Sequence, residues 1–266
     1  MGRPSFGPYI FSGSATVVET FGIAPFQFVV LDMEHTPFVS FETLVSLIRA
    51  AEAAGLSPFV RVPCNDPVLI GKVIELGAMG ILVPHIETRA DADRAVAASR
   101  FVPAGLRGHC PIVRSFDYGL TLDGWNYSKL SGMREAIARE DRDVLIIGMI
   151  ESMQGVSNLD DILASELDAI NIGTNDLSMT MGIPDAEGQM FHPAVLAMRD
   201  QLVRHCKAAG KPVMCAMGAF LENGTSMRSA VERWLPEGIL MFKVGIDLSF
   251  LRARCWQIAQ DASARA

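Results

Sequence analysis

Short apolar runs rich in Val, Ile and Leu recur along the chain, separated by longer stretches in which apolar residues return every three or four positions. The first pattern fits strands buried on both faces, and the second fits amphipathic helices. Strands are predicted at 9–12 (YIFS), 27–32 (QFVVLD), 58–62 (PFVRV), 80–84 (GILVP), 144–151 (VLIIGMIE), 167–173 (LDAINIG), 212–217 (PVMCAM) and 239–245 (ILMFKVG). Helices are predicted at 15–23, 40–54, 66–77, 88–100, 155–164, 193–209, 224–234 and 247–262. Local signals mark several ends. Asp66-Pro67 reads as an N-cap with Pro at the first helical position, Gly55 and Gly210 read as C-terminal stops, and Asn158 to Asp161 place acids early in a helix.

Eight strands, each followed by a helix, close most economically into a (β/α)8 barrel, taken as one domain over residues 1–266. An open doubly wound sheet competes, but no GxGxxG follows the first strand. The long stretch 101–142 is Gly-rich and polar, and is expected to be a functional loop or a small helical insert.

Composition narrows the function. With 23 basic against 30 acidic residues the net charge is -7; no basic stripe offers itself to nucleic acid or anionic lipid. The five cysteines lack a CxxC pair, so neither a disulfide framework nor a thiolate zinc site is indicated. The opening MGRPSFGPYIFSGSA has no signal-peptide layout, and no window holds 18 uninterrupted apolar residues. A cytoplasmic protein with reduced thiols is expected.

In a barrel the chemistry sits where strands end. The residues there are Asp32, Glu34 and His35 after strand 2, Arg61 on strand 3, His85 after strand 4, Glu151 on strand 5 and Asp176 past strand 6. Neighbouring strands lie about 5 Å apart, so Glu151 and Asp176 can share one hard cation of the Mg2+ or Mn2+ kind and leave its other positions to substrate or water.

At these places the chain resembles the HpcH/HpaI family of class II, metal-dependent pyruvate aldolases, of the 4-hydroxy-2-oxo-heptanedioate aldolase kind. The matching stretches are FVVLDMEH, FVRVPCNDP, LGAMGILVPHIET, PAGLRG, IESMQGVSNLDDI, IGTNDLSMTMG and MFKVGIDLSFL, from about residue 10 to 251. The resemblance implies reversible aldol cleavage of a 4-hydroxy-2-oxo acid to pyruvate and an aldehyde through a metal-stabilised enolate. It implies a divalent cation (Mg2+, Mn2+ or Co2+) on Glu151 and Asp176, Arg61 facing the enolate, and His35 as acid/base oriented by Asp32. Substrate carboxylate would meet the backbone of Gly173, Thr174 and Asn175. It implies a homohexamer, a trimer of dimers exchanging C-terminal helices, in which Glu75 reaches a neighbouring subunit's site.

Three departures stand out. Met149 replaces a usual Gln and is expected beside the metal at a solvent-open mouth, leaving bound pyruvate fewer polar contacts. GTNDLS replaces GPxDLS, and His85 and His109-Cys110 stand where apolar or small residues are common. The alternatives are a citrate-forming or related condensing enzyme of the same family, and a non-catalytic barrel that binds a 2-oxo acid.

Overall fold

The computed structural model describes residues 3–36, 40–119, 132–183, 191–216 and 226–263. Its strands are β1 Ser5–Ile10, β2 Phe28–Asp32, β3 Ser57–Arg61, β4 Gly80–Val83, β5 Leu145–Ile150, β6 Ala169–Ile172, β7 Val213–Ala216 and β8 Ile239–Ile246. Every neighbouring pair is parallel, and β8 returns to β1 to close the barrel. The helices are α1 Ala15–Phe21, α2 Phe41–Ala53, α3 Pro67–Glu75, α4 Arg89–Ser99, α5 Met133–Asp143, α6 Met153–Ser157, α7 Leu159–Leu163, α8 Thr174–Thr180, α9 Pro193–Ala208, α10 Met227–Trp234 and α11 Asp247–Ser263.

Their starts follow from side chains named in the sequence. Asp66 caps α3 by accepting from the Leu69 amide, with Pro67 at the first position. Gly55 and Gly210 end α2 and α9 with positive φ, 74° and 72°, a conformation glycine adopts without strain. His192 caps α9, its ring Nδ1 accepting from the Ala194 amide, a structural role.

Three elements differ from expectation. β1 begins at Ser5, because Pro8 sits where the β1–β8 register shifts between Gly7 and Tyr9 and a missing donor costs little. Gly7 is required there, since a Cβ would lie 2.1 Å from the Phe28 carbonyl oxygen. The helix expected at 155–164 is broken at Asn158 (φ -102°, ψ 13°) into α6 and α7. Residues 174–180, where no helix was expected, form α8.

Strand alternation produces two cores. Outward-facing residues such as Val29, Leu31, Val60, Ile81, Ile146 and Ile170 pack under the helices. Inward-facing residues, among them Phe28, Phe59, Leu82, Ile147, Met214 and Met241, plug the barrel, with the Phe28 and Phe59 rings stacked 5.1 Å apart. With the barrel interior plugged in this way, an active site belongs at the C-terminal ends of the strands.

The described parts of 101–142 carry the helix α5, in line with the small helical insert expected, and lie between α4 and β5 as an αβ connection. They pack around Phe101, Phe116 and Ala136, and Arg114 bonds Glu52 at the end of α2. His109 lies edge-on to Phe101 and Phe116, its Nε2 3.0 Å from the Met133 sulfur.

Candidate active site

A cavity of about 370 Å³ opens at the C-terminal ends of the strands. Arg61, Met149, Glu151 and Lys243 are buried in its wall, whereas His35 and Asp176 are exposed at its rim. The strand-end residues selected from sequence therefore converge on one mouth.

Asp32 and Arg61 are register partners across β2 and β3. Arg61 Nε and Nη2 donate to the two Asp32 oxygens at 2.9 and 2.6 Å, a two-point clamp that fixes the guanidinium plane. Arg61 Nη1 lies 3.1 Å from Glu34 Oε2, and the guanidinium stands 5.0 Å above the Tyr9 ring. Burial opposes the charge on Arg61, but the Tyr9 oxygen and the Asp32 and Glu34 carboxylates outweigh it and hold its pKa above the ordinary arginine value.

Asp32 accepts from Arg61 and from the Glu34 amide, the latter at 2.9 Å. The carboxylate beside His35 is Glu34, 3.7 Å from its Nε2. Burial raises the Glu34 pKa, while Arg61 and His35 pull it down.

Glu151, 3 % exposed, follows β5. Its Oε1 accepts from the His85 amide at 2.8 Å, a contact made possible by the positive φ of His85, 53°. The His85 ring spans two acids, with Nδ1 3.5 Å from Glu151 and Nε2 3.8 Å from Glu34. Burial raises the Glu151 pKa against the His85 hydrogen bond, so a nearby positive charge would stabilise its ionised form. Gly173 makes room for this carboxylate, because a Cβ there would lie 2.6 Å from Glu151 Oε2.

Asp176 occupies the first turn of α8, whose N-cap Gly173 supplies no side-chain acceptor. Among the described residues no three His, Cys, Asp or Glu side chains are arranged to hold a metal unaided. Any cation at Glu151 and Asp176 therefore shares its coordination with substrate or water.

Met149 points inward as its spacing from Glu151 requires, but it is 2 % exposed and belongs to the inner core. The expectation of a solvent-open position is thus overturned: Met149 is cavity floor. Beside it in register on β6 stands Asn171, fully buried, with neither side-chain polar atom hydrogen-bonded. Sequence reading also passed over Tyr9, whose role depends on which residues the barrel brings around it.

Glu75 lies outside this mouth. It ends α3 on the outer coat, 3.6 Å from Lys72, beside a separate groove between α3 and α4.

A closed parallel barrel with carboxylates and a clamped arginine gathered at one mouth has the layout of a barrel enzyme's active site. Residues 6–252 match the HpcH/HpaI aldolase/citrate lyase family model, and the chain belongs to that family. It is 34% identical over 247 residues, 92% of this chain and 87% of the relative, to the 5-keto-4-deoxy-D-glucarate aldolase of Salmonella arizonae. The Salmonella paratyphi A protein of the same name is 33% identical over the same length. Among solved structures, the citrate synthase SbnG superposes with a TM-score of 0.82 at 28% identity, covering 99% of this chain and 94% of that one. A family protein from Burkholderia cenocepacia gives 0.82 at 28%, covering 98% and 95%. The chain is an aldolase, a carbon–carbon lyase of this family. No helix among the described residues is long and apolar enough to cross a membrane.

Proposed function

We propose that this aldolase splits a 4-hydroxy-2-oxo acid reversibly into pyruvate and an aldehyde, as a cytoplasmic enzyme using a divalent cation on Glu151 and Asp176. The observation that carries this reading is the convergence of buried Glu151, clamped Arg61 and exposed His35 on one cavity. The donor set suits a hard cation, because both ligands are carboxylates and the buried one lacks a bound lysine or arginine among the described residues. A bound Mg2+, Mn2+ or Co2+ would supply Lewis-acid stabilisation of the negative charge that develops on the keto oxygen.

The protein supplies the rest. Arg61 presents a second fixed charge to that oxygen, already oriented by Asp32 before substrate arrives. His35 takes the hydroxyl proton of the substrate, directly or through water, with the Glu34 carboxylate beside its ring. The amides of Thr174 and Asn175 receive the substrate carboxylate, and Gly173 lets the backbone come close. Met149 forms the apolar side of the bound 2-oxo acid.

The assembly reading is a homohexamer, a trimer of dimers that exchange α11. Its support is the exposure of Leu248, Phe250, Leu251, Trp256 and Ile258 along that helix, and Glu75 would then serve a neighbouring mouth. A second chemical reading, a citrate-forming or related condensing enzyme, is favoured by Met149 and by the 28% identity to SbnG.

Purified protein mixed with pyruvate, glycolaldehyde and Mn2+ is expected to form the aldol, to stop when EDTA is added and to resume with excess Mn2+. Glu151→Gln should lose Mn2+ binding and turnover together. A pyruvate adduct trapped on Lys243 by borohydride would replace the metal by a Schiff base.

A further inference from the structure

Lys243 is the cation at this mouth that the proposed chemistry leaves unused. It projects inward from β8, is 4 % exposed and lines the cavity. Its Nζ bonds the Tyr9 hydroxyl at 3.2 Å and stands 5.0 Å from the centre of that ring. No carboxylate among the described residues comes within ion-pair distance of it, although Asp32 and Glu34 lie in the same barrel mouth around Arg61.

Burying an ammonium without a counter-charge costs several kcal/mol in effective terms, so such groups are retained where something pairs with them. An ammonium has three donors, and Tyr9 takes one. The Tyr9 oxygen accepts from Lys243, which frees its own proton for another acceptor. One ammonium and one phenol thus offer donors to a cavity that brings in an acidic ligand.

Depth decides which part of the ligand they meet. Tyr9, Arg61, Met149 and Lys243 are all buried and all line the cavity, so they form its floor, while His35 and Asp176 lie at the exposed rim. The unit that reaches the floor is the 2-oxo acid held next to Arg61, and the acceptor aldehyde enters from the rim. The geometry points to Lys243, assisted by Tyr9, as the specificity-determining anchor for a second carboxylate carried by that 2-oxo acid. Pyruvate seats at the same place, and a 2-oxo acid that carries a second carboxylate binds there more tightly. This rests on the proposed seating of a 2-oxo acid at Glu151 and Asp176.

The test uses two pairs matched in chain length but not in the second carboxylate: oxaloacetate against 2-oxobutyrate, and 2-oxoglutarate against 2-oxovalerate. Their dissociation constants are measured by competition calorimetry on the Mn2+-loaded protein and on Lys243→Met, with folding checked by circular dichroism. The wild type should favour the diacid by roughly tenfold or more in at least one pair, as expected for a charge-assisted bond. Lys243→Met should erase that preference while Mn2+ affinity stays unchanged, and Lys243→Arg should restore part of it. Equal binding within both pairs, or a preference that survives in Lys243→Met, would overturn the assignment. Mn2+ titration separates the two failures: absent Mn2+ binding sinks the metal reading, whereas intact Mn2+ binding with no dependence on Lys243 sinks only this one.

Discussion

The two sides of the cavity are built on different terms. On the β2–β3 side, Arg61 is clamped by Asp32, flanked by Glu34 and stacked over Tyr9. Across the floor, on β8 and β6, Lys243 has one hydroxyl partner and Asn171 has none among the described residues. The first side is complete before any ligand arrives, which suits a group that must stabilise developing charge without rearranging. The second side is incomplete, which suits recognition: its donors and acceptors gain most when something binds.

Charge removal should break this contrast most visibly. Asp32→Asn leaves a buried guanidinium short of its counter-charge and is expected to cost about 3–5 kcal/mol in urea unfolding. Lys243→Met removes a charge with no such partner and should be neutral or stabilising. Equal costs for the two variants would mean that the sides do not differ. Arg61→Lys keeps the charge but loses the planar fork, and turnover should fall on the order of 10²-fold with folding intact. Steady-state rates near wild type would remove Arg61 from the chemistry.

A smaller effect is expected at Gly173. In Gly173→Ala the new methyl carbon would sit 2.6 Å from Glu151 Oε2 and 2.7 Å from its Cβ. The carboxylate must shift, so Mn2+ should bind more weakly by calorimetry, with overpacking costing about 1–3 kcal/mol. Unchanged Mn2+ affinity would show that Glu151 does not need its present position.

The smallest effect tests the floor. Met149→Gln buries an amide where a thioether was, at a cost of about 1–3 kcal/mol if the amide stays unpaired. Asn171, its register partner, can receive part of that amide, so the cost should rise when Asn171→Leu is added. A thermodynamic cycle with no coupling would leave the Asn171 amide isolated from residue 149.

How much of this could be read in advance follows from what each feature depends on. β2 to β8 announced themselves because a doubly buried strand needs a continuous apolar run. Asp32, Arg61 and Glu151 were singled out by the rule that chemistry gathers at strand ends, and the strands do end there. β1 was misplaced because Gly7 and Pro8 look like breakers unless the bulge against β8 is known. The Asp32–Arg61 clamp was hidden, because the two lie 29 residues apart and only the β2–β3 register brings them together. That Lys243 meets the Tyr9 hydroxyl and no carboxylate among the described residues was equally hidden, since the surroundings of a side chain are a property of three dimensions.

Barrel closure also sets an order of events. β1 pairs with β8, and the Asp247 carboxylate at the start of α11 accepts from the Phe11 and Ser12 amides just past β1. The strand made earliest must therefore wait for the one made after all the others. During synthesis its open edge and the unfilled barrel interior stay exposed to other chains. Lys243, carried on β8, reaches the cavity only as the ring shuts.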